Sequence, residues 1–307
     1  MYVYWNEDYT ASEYAFDTTR KSRAIVERLE REPVGDLIIK DPMSNFLVEG
    51  TEWESSFDEV AIEHLQKIHT PEYFEAVRTG KPGALARSQG FTWDPGIFTM
   101  AVAHTTGLIA ATHHALSNKT QAGSLSSGLH HARSNTGCGY CTFNGLAAAV
   151  SYAVHSWGLK RILVLDLDAH GGGGTDEIIA THFADQVVHA DVITSVFDKY
   201  PVRKGNYFKQ ASIHGYSPQT EMFVQRIFSQ ETFDLVIYNA GMDPINTGVS
   251  LQDIEEREKM VRFYIGDTPA VFALAGGYTW GEYTMDDVVD WHLLTLKTWE
   301  EYDKVKK

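Results

Sequence analysis

The chain has 307 residues, and its 43% hydrophobic content is ordinary for a globular protein of one or two domains. A formal net charge of −15 disfavours a nucleic-acid partner, because such a partner requires a basic surface. No apolar run approaches the roughly 18 residues of a membrane span, and the N-terminus lacks the basic start and apolar core of a signal peptide. Cys138 and Cys141 are the only cysteines, and we expect reduced thiols in a cytoplasmic enzyme.

Predicted helices and strands alternate along the chain. Hydrophobic spacing predicts helices over 16–32, 57–68, 71–77, 96–116, 145–157, 175–184, 252–265 and 281–303. Strands are predicted over 36–40, 161–166, 192–197, 233–240 and 269–275, and a small-residue strand from Ser124 runs into adjacent histidines. The alternation predicts an α/β fold, a single three-layer domain covering 1–307 with a mainly parallel sheet and helices on both faces.

The strand that begins at Arg161 ends in a set of possible metal ligands. Asp166, Asp168 and His170 are spaced at i, i+2 and i+4, so an extended strand points them to one face. Ligands bind beyond the carboxyl ends of strands in open α/β sheets, and two carboxylates with an imidazole suit a divalent metal. The alternative is a buried strand end whose aspartates cap the next helix.

Three other predicted strands also end in polar or glycine-rich residues. His130 and His131 follow the strand from Ser124, Asp243 follows the strand over 233–240, and Tyr278 follows the strand over 269–275. Each has an ordinary alternative: a packed histidine pair, a turn aspartate before proline, and a surface tyrosine. For four further histidines a packing or surface position is the better expectation: His64, His69, His113 and His114.

Five motifs in this order resemble the arginase/deacetylase fold, and within it the zinc-dependent histone deacetylase-like amidohydrolases. They are Gly128-Leu-His-His-Ala132, Gly139-Tyr-Cys-Thr-Phe-Asn144, Asp166-Leu-Asp-Ala-His170 with the glycines after it, Asn239-Ala-Gly-Met-Asp-Pro244 and Ala275-Gly-Gly-Tyr278. The residues before about position 90 resemble the family only loosely.

The resemblance implies a catalytic Zn²⁺ held by Asp168, His170 and Asp243, with positions left for water and substrate. It implies that His130 and His131 transfer protons, and that Asp166 hydrogen-bonds the first of these histidines. Tyr278 would donate a hydrogen bond to the developing oxyanion.

The resemblance also implies a narrow channel for an acyl-amine chain, lined by Gly139 and Tyr140. Members of the family also bind K⁺ close to the strand that carries the metal ligands, which here is the predicted strand over 161–166. The matching residues here are Asp166, Asp168, His170 and, on the next strand, Ser195.

The sequence departs from the family pattern close to the site. The family often carries histidine or glutamine where this chain has Gly171. It usually carries Asp or Asn where this chain has Gly173, and that side chain supports the second histidine. We therefore expect His131 to lack a carboxylate partner. Alignment with the channel wall of the family predicts Arg203 or Lys204 at the channel mouth.

The leading interpretation is a zinc amidohydrolase that removes an acyl group, most simply acetyl, from an acetyl-lysine side chain, an acetylated polyamine or another small amine. A binuclear manganese ureohydrolase of the same fold is disfavoured, because Gly172 stands where its bridging carboxylate is needed. A non-catalytic binder of acyl groups with a degraded site is the alternative from a different functional class.

Overall fold

The computed structural model describes residues 1–43, 46–47 and 54–305. The strands in this part of the chain are β1 (Tyr2–Tyr4), β2 (Ile38–Lys40), β3 (Phe46–Leu47), β4 (Glu54–Ser55), β5 (Gln121–Ser124), β6 (Ile162–Asp166), β7 (Val187–Ile193), β8 (Asn206–Gln210), β9 (Leu235–Gly241) and β10 (Ala270–Ala275). The helices are α1 (Asp17–Arg31), α2 (Phe57–Ile68), α3 (Pro71–Thr79), α4 (Gly83–Ala86), α5 (Pro95–Asn118), α6 (Gly145–Trp157), α7 (Gly173–His182), α8 (Tyr216–Gln230), α9 (Asp243–Asn246), α10 (Leu251–Ile265) and α11 (Met285–Val305).

Eight of the described strands form one sheet in the order β2-β1-β5-β10-β9-β6-β7-β8, and every neighbouring pair in it is parallel. The central strands β6, β9 and β10 are buried along their whole length. Such strands are typical of parallel sheets covered on both faces. The prediction of an α/β fold with a mainly parallel sheet is confirmed.

Helices cover both faces of this sheet, and successive residues of each strand contribute to opposite layers. On β6, Val164 belongs to a hydrophobic cluster that includes residues of α2, α3, α5, α6 and α7. Leu163 belongs to a second cluster, which includes residues of α1, α8, α10 and α11. On β10, Val271 and Phe272 divide between the two layers in the same way. No helix in the described ranges has both the length and the apolar character that crossing a bilayer requires.

Two predicted strands end earlier than expected. β7 runs from Val187 to Ile193, not from residue 192 to 197. Its true extent was missed because the polar residues that it carries obscure its apolar pattern. The chain then leaves the sheet, and the N–H groups of Thr194 and Ser195 both donate to the carbonyl of Ala169. β5 ends at Ser124, so the histidine pair lies in the following loop. Strand β8 and helix α8 were not predicted.

Candidate active site

The polar segments identified in the sequence meet at one edge of the sheet. β5, β10, β9 and β6 are successive neighbours and run parallel, so their carboxyl ends lie side by side. Asp168 and His170 lie just beyond β6, not within it, and Asp243 and Tyr278 lie beyond β9 and β10. This edge is where open α/β sheets bind ligands.

The three predicted metal ligands Asp168, His170 and Asp243 form one group, here called the ligand cluster, and the atoms they could offer to a metal all lie within 4.8 Å of one another. The Nδ1 atom of His170 is 3.1 Å from Asp168 Oδ1 and 3.1 Å from Asp243 Oδ2. Burial, together with the charge of Asp168, raises the pKa of the Asp243 carboxyl. The pKa of the Asp168 carboxyl is lowered, because the hydrogen bond from His170 and the charge of His130 outweigh burial. Two neighbouring buried carboxylates favour a cation between them, since a cation stabilises both in the ionised form.

Glycines allow backbone to approach the two carboxylates of this cluster closely. A Cβ atom at position 276 would lie 2.1 Å from Asp243 Oδ1, and one at position 241 would lie 2.4 Å from Asp168 Oδ2. Gly277 N–H donates to Asp243 Oδ1. The backbone therefore encloses both carboxylates and restricts their orientation.

His130 is paired with Asp166, as the resemblance implied. Its Nδ1 atom is 2.8 Å from Asp166 Oδ2, and the other oxygen of Asp166 accepts hydrogen bonds from Asn239 Nδ2 at 2.8 Å and from the Asp168 N–H at 3.1 Å. Burial alone would lower the pKa of His130, but the charge of Asp166 and its hydrogen bond outweigh burial and raise the pKa to about 9.

The expectation that His131 has no carboxylate partner is wrong. The Nδ1 atom of His131 is 2.8 Å from Asp198 Oδ2, and the Asp198 side chain is only 4% exposed. Burial, followed by the charge of His130, lowers the pKa of His131 to about 4 although Asp198 opposes this shift. The two rings have centroids 3.9 Å apart, so two histidines with opposite pKa shifts lie in contact.

A cavity of about 370 Å³, here called the outer cavity, opens above these residues. A smaller inner pocket reaches Asp168 and Asp243. Four residues line both spaces: His131, Gly139, Tyr140 and Tyr278. The remaining lining of the outer cavity is Gln89, Gly90, His170, Phe197 and Trp280. The predicted channel residues Gly139 and Tyr140 therefore lie at the junction of the two spaces.

Arg203 and Lys204 are not among the described residues that line either space. The guanidinium of Arg203 instead forms an ion pair with Asp176 and donates to the Asp176 carbonyl, and Lys204 is exposed. The prediction that one of them lies at the channel mouth is wrong, because α7 provides a buried carboxylate that binds the Arg203 side chain.

Tyr278 is fixed at its backbone and stacked at its ring. Its N–H and carbonyl form two hydrogen bonds with the side chain of Asn246, and its ring lies 4.1 Å from that of Trp280. Burial, aided by the charges of Asp243 and Asp168, raises the pKa of the Tyr278 hydroxyl. Tyr278 therefore remains a protonated hydrogen-bond donor throughout the physiological pH range.

Sequence reasoning missed a buried lysine at the site. Lys21 on α1 is fully buried and donates to Ser127 Oγ and to the Gly276 carbonyl, both at 2.9 Å. Burial lowers its pKa to about 7, although Asp243 and Asp168 act in the opposite direction. Its helix is rich in charged residues, so nothing in the local pattern separated Lys21 from its solvent-facing neighbours.

Asp166, the partner of His130, also belongs to a second group of buried titratable residues. Asp166, His189 and Asp191 bring their ligand atoms within 4.8 Å of one another, and Gly172 N–H donates to Asp191 Oδ2 at 2.7 Å. Ser195, the fourth residue of the predicted K⁺ site, lies past the end of β7. Potassium binding by Asp166, Asp168, His170 and Ser195 stays a prediction.

The parallel sheet, with its buried ligand cluster and histidine pair at one edge, defines an arginase/deacetylase-like α/β protein. The family model for the histone deacetylase domain matches residues 17–295. The chain therefore belongs to the histone deacetylase family.

Similar proteins come from bacteria and animals. They include an uncharacterized protein of Picosynechococcus sp. (29% identical over 58% of this chain), polyamine deacetylase HDAC10 of Homo sapiens (34% over 38%) and acetoin utilization protein AcuC of Staphylococcus xylosus (23% over 60%). The matched regions span 60%, 19% and 49% of those proteins, respectively.

Proposed function

We propose that this chain is a zinc-dependent deacetylase that hydrolyses a linear N-acyl amine. One observation carries the proposal: the cluster of Asp168, His170 and Asp243 shares an open cavity system with the histidine pair and Tyr278. Family membership supports the same reaction class.

The donor set fits zinc. Two carboxylates and one imidazole are three protein ligands, and a site with three leaves coordination positions open, as in catalytic zinc sites. Zinc bound there would polarise an amide carbonyl as a Lewis acid and lower the pKa of a water molecule towards neutrality. No third carboxylate lies at Gly172, which disfavours the binuclear manganese alternative.

The remaining site residues would supply proton transfer and oxyanion binding. His130 and His131 lie in contact, and each has its own carboxylate partner, so one ring can take a proton from water while the other gives one to the leaving amine. The Tyr278 hydroxyl would donate to the oxygen on which negative charge develops.

Aromatic residues and a glycine favour a slender, extended substrate. Tyr140, Phe197 and Trp280 contribute rings to the outer cavity, and a side chain at Gly139 would meet the rings of His131 and Phe197. The net charge of −15 favours a cationic amine such as a polyamine or a lysine-rich peptide. A relative that is named a polyamine deacetylase supports the first of these.

The test combines metal analysis with turnover. Purified protein is analysed for bound metals and assayed on fluorogenic acetyl-lysine amides and acetylated polyamines over a series of acyl chain lengths. One zinc per chain with turnover supports the proposal. Two manganese ions per chain, or binding of acyl amines without turnover, contradict it.

The zinc assignment has its own variant. Asp168→Asn removes one charged ligand and should lower zinc affinity steeply while most of the fold remains. Asp185→Asn makes the same chemical change at an exposed position and should behave like the parent. Full zinc content and activity in Asp168→Asn would rule the assignment out.

A further inference from the structure

Four consecutive glycines, 171–174, follow strand β6. Two of them, Gly171 and Gly173, depart from the family pattern described above. A Cβ atom at position 171 would lie 2.5 Å from the Asp198 carbonyl oxygen, and one at position 173 would lie 2.4 Å from Asp198 Oδ1. Both departures therefore face the same residue, on the segment that follows β7.

We infer that Asp198 is the positioning residue of His131 and occupies the space that a side chain at position 173 would otherwise fill. This inference rests on the proposed function, because it assigns a role within the same reaction. The carboxylate is retained in the site, but a different segment of the chain supplies it.

Glycine is needed at position 173 because a side chain would collide with its neighbours, not because of the backbone conformation. The φ angle of Gly173 lies outside the left-handed region, so any side chain suits its backbone. A Cβ there would also lie 2.8 Å from Asp198 Cγ and 2.8 Å from the Asp198 carbonyl oxygen. A carboxylate at 173 and the observed position of Asp198 are mutually exclusive.

Two neighbours hold the Asp198 carboxylate in place. Its Oδ1 atom pairs with the guanidinium of Arg133, which leaves Oδ2 for the Nδ1 atom of His131. Asp198 has φ +54°, a conformation that aspartate, asparagine and glycine tolerate better than most residues. Gly171 N–H donates to the carbonyl of Phe197 at 3.0 Å and attaches this segment to the glycine run.

The contact has a chemical consequence for the imidazole. A carboxylate at Nδ1 accepts the hydrogen of that nitrogen, so in neutral His131 the unprotonated atom is Nε2. His131 also lines both the inner pocket and the outer cavity. Asp198 thus fixes the tautomer in which Nε2 is available to accept a proton from water.

Asp198→Asn tests the assignment with a side chain of equal size that tolerates the same backbone conformation. Removing the hydrogen-bond partner of a metal-ligating histidine typically costs about 10- to 100-fold in activity, and we take the same range for the carboxylate partner of His131. We expect a loss of that size in kcat with little change in KM. Glu177→Gln is the matched control, because it removes the other acidic partner of Arg133, at 3.7 Å, but leaves Asp198 and His131 in contact. Its kcat should stay near that of the parent.

Moving the carboxylate from position 198 to position 173 tests whether the two side chains compete for one space. Gly173→Asp should damage the parent, because the new side chain meets Asp198. In an Asp198→Gly background the same substitution should be clearly less damaging, because the carboxylate is gone and only the backbone carbonyl oxygen at position 198, 2.8 Å from the new Cβ, has to shift. Equal damage in both backgrounds would overturn the claim that the two side chains compete.

A readout independent of turnover separates this inference from the proposed function. The ¹⁵N chemical shifts of the His131 ring report which nitrogen carries the proton, and they can be measured on metal-free protein. Asp198→Asn should move these signals, whereas Glu177→Gln should not. Unchanged His131 signals and unchanged kcat in Asp198→Asn would refute the inference. An inactive parent whose His131 signals respond to Asp198→Asn would contradict only the proposed function.

Discussion

Arg257 is a fully buried cation that hydrogen-bonds to backbone carbonyls close in sequence to each carboxylate of the ligand cluster. It lies on α10, and its Nη1 atom donates to the Leu167 carbonyl at 3.0 Å and to the Gly241 carbonyl at 2.7 Å. Each of these residues lies within two positions of a carboxylate of the cluster. Its Nη2 and Nε atoms pair with Glu258 Oε1, which also accepts a hydrogen bond from the Tyr238 hydroxyl. We predict that Arg257→Met destabilises both the fold and the metal site.

The expected loss of unfolding free energy follows from the contacts of Arg257. Breaking a buried ion pair by removing one partner costs about 3–5 kcal/mol, because the remaining charge is left unpaired. Each carbonyl that loses its donor would add about 1–3 kcal/mol if it stayed unsatisfied, but such contributions overlap. We therefore expect the free energy of unfolding to fall by about 3–5 kcal/mol. We also expect zinc affinity to fall by about 10- to 100-fold, because the ligand segments are less well held.

The assay is urea unfolding combined with zinc competition against a chromophoric chelator. Lys259→Met on the same helix is the control, because exposed Lys259 pairs with the half-exposed Glu255 and the loss of such a surface pair should leave stability near that of the parent. The double variant Arg257→Met with Glu258→Leu removes the unpaired charge. It should recover much of the unfolding free energy but not the zinc affinity. If the free energy of unfolding of Arg257→Met lies within about 1 kcal/mol of that of the parent, the buried pair does not stabilise the fold in this way.

Two further predictions concern single side chains. Tyr278→Phe should reduce turnover by about 10²- to 10³-fold with little change in zinc content, and unchanged turnover would mean that the hydroxyl is structural. His69 is fully buried between the Arg133 carbonyl and the Asn144 N–H, and burial lowers its pKa from 6.5 to about 4. Its contribution to stability is therefore complete above pH 6.5 and is lost as the pH falls towards 4, by up to about 3 kcal/mol. His69→Gln should flatten this acid decline in urea unfolding, whereas exposed His182→Gln should not.

The part of the site that could be predicted is the part encoded in short segments. Asp168, His170 and Asp243 follow strands with continuous apolar runs, and parallel neighbours bring such strand ends together without further information. The pairing of His130 with Asp166 was implied by the resemblance of these motifs to the family. These residues depend on secondary structure and on the chain order of the motifs, both of which are visible in one sequence.

The residues that were missed depend on contacts between distant segments. Asp198 reaches His131 only because the chain leaves β7 at Ile193 and adopts a left-handed conformation at position 198. The prediction extended that strand to residue 197, which would have placed Asp198 elsewhere. The error arose because His189 and Asp191 interrupt the apolar pattern of β7, although both are buried.

The two histidines of the pair are held by carboxylates with very different supports. Asp166 ends a central strand, and Asn239 and the Asp168 backbone fix its second oxygen. Asp198 lies on a loop, and its second oxygen depends on Arg133, whose side chain is 30% exposed. Salt screens a partly exposed charge more than a buried one. The geometry of His131 should therefore respond to ionic strength and to substitutions around Arg133 more than that of His130 does. Substitutions at the surface can therefore change the position of His131, whereas His130 is held by residues of the core.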